Sequence, residues 1–237
     1  MNIVITGSSK GIGFELAKLF AQNDENTVIG IARSEVLLTE LKNECIKQNL
    51  KSKFRPIVFD LEDLSAINSN LKSQIEQYVD CIDILINNAG FLLNKSFQET
   101  QIEEIQRTFN VNLISPAILL QSLTPLLEKS DIKHVVNISS MGGYQGSSKF
   151  SGLSFYSASK AALANLTECL AEEYKEKHIR FNCLALGAVN TEMLQTAFPG
   201  YKAPLKAEEM SQYIYDFATK AYKYMNGKII PLSLSTP

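Results

Sequence analysis

A β-branched apolar run, Asn2–Thr6, breaks into Thr6-Gly7-Ser8-Ser9-Lys10-Gly11-Ile12-Gly13 and resumes at once as a helical pattern in which Ile12, Leu16, Leu19 and Phe20 share a face. Strand, glycine turn and helix in immediate succession is the opening of a strand–helix–strand unit, in which two parallel strands are joined by a crossover helix. The alternation continues. Strand patterns lie near 27–31, 54–59, 82–87, 133–138 and 179–186, and helical patterns begin near Glu35, Leu64, Ile102 and Phe155. A last helix near 208–222 leads to a strand near 228–231. Runs such as 135–138 are apolar throughout instead of alternating, as expected of strands covered on both faces. The prediction is an α/β fold: a single-domain, Rossmann-type, doubly wound parallel sheet with helices on both faces, spanning 1–237.

The charge balance narrows the partners. A net charge of -2, with dispersed lysines and arginines, gives no basic patch for nucleic acid. A strand pattern beginning at Asn2 leaves no room for a secretory leader, and no apolar run approaches bilayer-spanning length. A cytoplasmic protein that does not bind membrane is expected. Asn94-Lys95-Ser96 and Asn165-Leu166-Thr167 match the glycosylation pattern, which without a leader reads as chance. Cys45, Cys81, Cys169 and Cys183 form no Cys-x-x-Cys pair and read as structural thiols. His134 and His178, before a strand and at a helix end, read as exposed or dipole-stabilised, with no metal partner in sequence.

Three sites carry chemistry. The glycine turn lets the backbone approach a pyrophosphate, which the following helix N-terminus would receive with amide donors and partial positive charge. The second strand ends in Ile31-Ala32-Arg33-Ser34 with a cation where an NAD site commonly offers a carboxylate, so Arg33, with Lys10 in the turn, favours a 2′-phosphate and hence NADP(H) over NAD(H), which is still possible. Tyr156-Ser157-Ala158-Ser159-Lys160 places a phenol and an ammonium four apart on one helix face, where the cation would draw the phenol below its ordinary value near 10.

These segments occur in order with Asn87-Asn88-Ala89-Gly90, Asn110-Val111-Asn112 and Asn137-Ile138-Ser139-Ser140, and together the chain resembles the classical short-chain dehydrogenase/reductase family as far as about Thr191. The resemblance implies a catalytic tetrad of Asn112, Ser140, Tyr156 and Lys160. Tyr156 would protonate the carbonyl oxygen, Ser140 would hold that oxygen, Lys160 would lower the tyrosine pKa and bind the nicotinamide ribose, and Asn112 would position a water in a relay to Lys160. Ser139 competes with Ser140, but Ser140-Met141-Gly142-Gly143 matches the family's Ser-x-x-Gly. It also implies cofactor contacts from Gly7, Ser9, Lys10, Gly11, Ile12, Gly13, Arg33, Asp60, Leu61, Asn88, Ala89, Gly90, Tyr156, Lys160, Gly187, Val189 and Thr191. No metal is implied.

The expected activity is hydride transfer between NADP(H) and a small carbonyl or alcohol, in a homo-oligomer by family resemblance. The alternative is a catalytically silent NADP(H) sensor, for which the paired Tyr156 and Lys160 would have no physical use. Leu186 stands where the family has proline before Gly187, and the loop between Ser140 and Tyr156 is longer than usual. That loop, 142–152, is rich in glycine and serine and, with 190–204, reads as a mobile rim that closes over substrate.

Overall fold

A computed structural model describes residues 1–234. In chain order the elements are β1 (Asn2–Thr6), α1 (Gly11–Ala21), β2 (Thr27–Ala32), α2 (Glu35–Gln48), β3 (Lys53–Val58), α3 (Leu64–Ala66), α4 (Lys72–Glu76), β4 (Ile84–Asn87), α5 (Ile102–Phe109), α6 (Ser115–Glu128), β5 (His134–Ser140), α7 (Ser154–Glu173), β6 (Arg180–Leu186), β7 (Val189–Asn190), α8 (Glu192–Ala197), β8 (Leu205–Lys206), α9 (Ala207–Lys220) and β9 (Lys228–Leu232). Seven strands form one parallel sheet in the order β3-β2-β1-β4-β5-β6-β9, and β7 pairs with β8 in a small second sheet. The chain reverses its direction of winding beside β1, which pairs with β2 on one side and β4 on the other. This is the Rossmann-type doubly wound fold expected from the alternation, and such a reversal opens a crevice at the carboxyl ends of the strands.

Alternation along each strand builds a core on each face. Ile3 and Ile5 point to one side with Leu16, Phe20, Leu41 and Ile214, while Val4 points to the other with Leu71, Ile75, Leu119 and Leu123. Helix α2 starts at Ser34, whose hydroxyl accepts from Leu37 N at 3.4 Å.

Two expectations need correction. A five-residue π-turn, Asn110–Ile114, joins α5 to α6 without a break. The resulting helix, Ile102–Glu128, is by length and composition apolar enough to cross a bilayer, although the sequence showed no apolar run of that length. More than half of its most apolar stretch is buried inside the protein, with Leu119, Leu123 and Leu127 in the core. His134 is the second correction. It is fully buried at the start of β5, with Nδ1 at 2.8 Å from the Ala218 carbonyl and Nε2 at 3.1 Å from Asn182 Nδ2. His178 is exposed in a left-handed conformation. Cys45 and Cys183 are buried, Cys81 is half-buried and Cys169 exposed, and all four are free thiols.

Candidate active site

The glycine turn is fixed from below and beside. Gly7 N and Ser8 N donate to the Ile31 carbonyl at 2.9 and 3.3 Å, and the Thr6 hydroxyl accepts from Asn88 N and Ala89 N at 3.1 and 3.0 Å. Asn88 Nδ2 donates to the Thr6 and Gly7 carbonyls at 3.0 and 3.1 Å, so this side chain locks the turn to the end of β4. Gly7 has φ +69, and a Cβ there would lie 2.8 Å from Ala89 Cα; one on Gly13 would lie 2.3 Å from the Gly7 carbonyl oxygen. Glycine at these positions lets turn, helix and strand end approach one another.

Above the turn lies a cavity of about 500 Å³. Of the residues read as cofactor contacts only Gly13 does not border it; of the tetrad, Ser140, Tyr156 and Lys160 border it and Asn112 does not. Gly13 packs beneath the turn, and Asn112 is fully buried in the π-turn, a local widening common near functional sites. The Asn112 amide is engaged at both ends. Its Oδ1 accepts from Phe91 N at 2.8 Å, and its Nδ2 donates to the Phe91 carbonyl at 2.9 Å and Ser159 Oγ at 3.0 Å. The side chain thus braces the strand β4 exit against α7.

The phenol of Tyr156 lies beside the Ser140 hydroxyl, which accepts from Gly142 N at 3.2 Å. Ser139 is buried and its hydroxyl donates the other way, to the Lys160 carbonyl at 2.8 Å. Burial raises the Tyr156 pKa, and the neighbouring Ser140 hydroxyl acts against that rise. This departs from the expectation that Lys160 governs the phenol: the Lys160 ammonium, itself buried, donates to the Ile138 carbonyl at 2.8 Å. Burial holds Lys160 down to about 8. Gly90 faces both groups, since a Cβ there would lie 3.4 Å from Lys160 Nζ and 3.5 Å from Asn112 Oδ1.

At the other end of the cavity the cations are paired. Arg33 Nη1 donates to Glu62 Oε1 at 3.3 Å, and Arg107 donates to the same oxygen through Nε and Nη2 at 3.1 and 2.9 Å. The Arg107 guanidinium also lies over the Phe91 ring, 4.3 Å from its centroid. Lys10 pairs with Glu192 at the start of α8. Asp60 accepts from Glu62 N at 3.0 Å. Arg107, Glu62 and Glu192 had no distinguishing signal in sequence, where charges at helical spacing read as a solvated face.

Thr191 caps α8 by accepting from Leu194 N at 3.3 Å, and Gly187 N donates to the Leu232 carbonyl at 2.7 Å. The loop after Ser140 is less free than its composition implied. Met141–Gly143 forms a short helical turn against α7, and a Cβ on Gly143 would lie 2.5 Å from Ala161 N. These glycines serve close packing, whereas Gly146 has open space around it.

A family profile described as short chain dehydrogenase matches residues 1–202. The chain is 30% identical to the 3-oxoacyl-[acyl-carrier-protein] reductase FabG of Thermotoga maritima, over 96% of this chain and 94% of that one. It is 32% identical to the fatty acyl-CoA reductase of Acinetobacter baylyi, over 89% of this chain and 70% of that protein. A short chain dehydrogenase of Shigella flexneri, solved in complex with NADP, superposes with a TM-score of 0.87 at 28% identity, covering 97% of this chain and 95% of that one. With the profile spanning most of its length and a FabG relative matching nearly end to end, the chain belongs to the short-chain dehydrogenase/reductase family of oxidoreductases.

Proposed function

We propose that residues 1–237 form one NADP(H)-binding catalytic domain that interconverts a small carbonyl compound and its alcohol, with Tyr156 as general acid and base. The observation that carries this reading is that Tyr156, Ser140 and Lys160 border the same cavity as the glycine turn. The turn fits a dinucleotide: its backbone approaches the cavity with positive φ at Gly7 and Gly11, and the α1 N-terminus offers unpaired amides to a pyrophosphate. A solved relative holds NADP, which supports the same class of cofactor here.

Arg33 and Lys10 would take the 2′-phosphate, exchanging the carboxylates of Glu62 and Glu192 for it. Asp60 and Leu61 would border the adenine, Asn88, Ala89 and Gly90 the adenosine ribose, and Gly187, Val189 and Thr191 the nicotinamide. When bound, the nicotinamide supplies or accepts hydride. Tyr156, protonated at neutral pH like any phenol of ordinary or raised pKa, gives its proton to the carbonyl oxygen, and Ser140 donates a second hydrogen bond to that oxygen as negative charge develops on it. Lys160, whose ammonium donates to the Ile138 carbonyl at the cavity wall, would meet the nicotinamide ribose. Because its side-chain amide is engaged, Asn112 would act on a relay water only through the backbone of its π-turn.

The relatives' substrates suggest where to begin: 3-oxoacyl thioesters, fatty acyl-CoA, and simple ketones and aldehydes, each supplied with NADPH and followed at the nicotinamide absorbance. Turnover of any carbonyl supports the reading. NADPH binding without turnover across the panel overturns it in favour of a sensor.

A further inference from the structure

Asn94 is exposed between β4 and α5 and touches both segments that border the proposed substrate space. Its Nδ2 donates to the carbonyl of Ala197, the last residue of α8, at 2.7 Å. The adjoining amide, Lys95 N, donates to the Gly152 carbonyl at 3.0 Å. Gly152 has φ +82, and a Cβ there would lie 1.9 Å from Asn94 Oδ1, so a side chain at 152 would expel Asn94 from between the two segments. Phe97 stacks on Phe155, with centroids 5.3 Å apart and planes 13° apart, which ties the same stretch to the first turn of α7 beside Tyr156. Three segments distant in sequence therefore meet at one asparagine. Behind them, Leu92, Met141, Phe150, Leu153, Leu194 and Phe198 border the cavity with apolar side chains.

We propose that Asn94 is a positioning residue that clasps the loop 141–153 to α8 and so preforms an apolar wall selecting carbonyl substrates with an apolar body. The wall's effect on substrate rests on the carbonyl-reductase reading; the clasp does not. The loop's own hydrogen bonds, from Ser147 Oγ and Lys149 Nζ to the Tyr144 carbonyl among others, fold its tip back on its start but do not tie it to α8. A cross-rim hydrogen bond supplies that tie, and its loss raises the open population by about five- to tenfold at ordinary net hydrogen-bond strength.

The test compares the full-length protein with Asn94→Ala and with the near-isosteric Asn94→Asp, which lacks the donor and guards against misfolding of the first variant. Hydrogen exchange without ligand is expected to quicken about five- to tenfold in 144–152 and 192–198, with the strands unchanged and NADPH affinity preserved. Across a homologous series of methyl ketones, KM should rise most for the longest members while kcat for the shortest stays within about twofold. Unchanged exchange in both segments overturns the clasp. An equal rise in KM for short and long ketones overturns the apolar selection. Absence of ketone turnover by the unmutated protein counts against the carbonyl-reductase reading alone, since exchange still decides the clasp.

Discussion

Lys160 gives its ammonium to the backbone carbonyl of Ile138, 2.8 Å away on the strand that ends in Ser140, while Tyr156, one turn earlier on α7, lies beside Ser140 itself. Strand β5 and helix α7 are thus held together within one turn, for the Ser139 hydroxyl also donates to the Lys160 carbonyl at 2.8 Å, and these contacts involve groups proposed for the chemistry. With the ammonium engaged at Ile138, the group acting against the burial of the phenol is the Ser140 hydroxyl.

Tyr156→Phe keeps the ring that packs in the half-buried site and deletes the hydroxyl that meets Ser140. It is expected to fold, to bind NADPH as before, and to lose about 10²- to 10⁴-fold in turnover, the usual worth of a positioned general acid. Stopped-flow reduction with a carbonyl that the unmutated protein accepts reads this directly. Activity close to that of the unmutated protein would remove Tyr156 from the proposed role.

The α/β alternation, the parallel sheet and the glycine turn were legible because each rests on local pattern: apolar runs of strand length, helical spacing, and glycines where strand meets helix. Tyr156 and Lys160 were legible because four residues on a helix make one face. What escaped depends on contacts between segments far apart in sequence. Nothing near Asn112 indicates that Phe91 will occupy both ends of its amide, and nothing near Arg107 indicates that it shares Glu62 with Arg33. The glycines at 142 and 143 suggested mobility by composition, but their neighbours across the fold give them a packing role.

Arg33 and Arg107 converge on one carboxylate, so both guanidiniums stand where the proposed 2′-phosphate would sit. Arg33→Ala should weaken NADPH by about tenfold or more while leaving NADH nearly unchanged. Glu62→Gln frees both guanidiniums and should tighten NADPH a few-fold at low salt, an advantage lost as salt screens these exposed groups. Calorimetric titration of both cofactors into the three proteins measures each effect. Equal affinities for NADH and NADPH in the unmutated protein would sink the NADP assignment.

Gly143→Ala places a methyl group 2.5 Å from Ala161 N and 2.7 Å from the Lys160 carbonyl carbon. The contacted atoms are helix backbone and cannot rotate aside, so the turn after Ser140 must back away from α7. Overpacking of this kind costs about 1–3 kcal/mol, and here it also separates Ser140 from Tyr156. A lower melting temperature accompanied by lost turnover is expected. Gly146→Ala, with nothing within 4 Å of its new carbon though at φ +80, should destabilise through backbone strain while sparing turnover. Equal loss of turnover in the two variants would argue against close packing as the reason for glycine at 143.

His134 supplies the clearest pH dependence. It is fully buried, and burial pushes its pKa down to about 4 from an ordinary 6.5. Asn182 Nδ2 donates to Nε2, which leaves the proton on Nδ1 to be donated to the Ala218 carbonyl, and this arrangement requires the neutral ring. A folded-state pKa below the unfolded value means that the unfolded chain binds the extra proton between those two values. The stabilising effect of a neutral His134 is therefore complete above about pH 6.5, is lost as pH falls, and reaches its floor near pH 4. Full development of this difference corresponds to about 3 kcal/mol. His134→Leu removes the titration while also removing two hydrogen bonds, so it should be less stable than the unmutated protein at pH 7 and lose less stability between pH 6.5 and 4. Urea unfolding at steps across that range gives both slopes. Parallel slopes would show that other groups carry the acid sensitivity and that the buried imidazole is not its source.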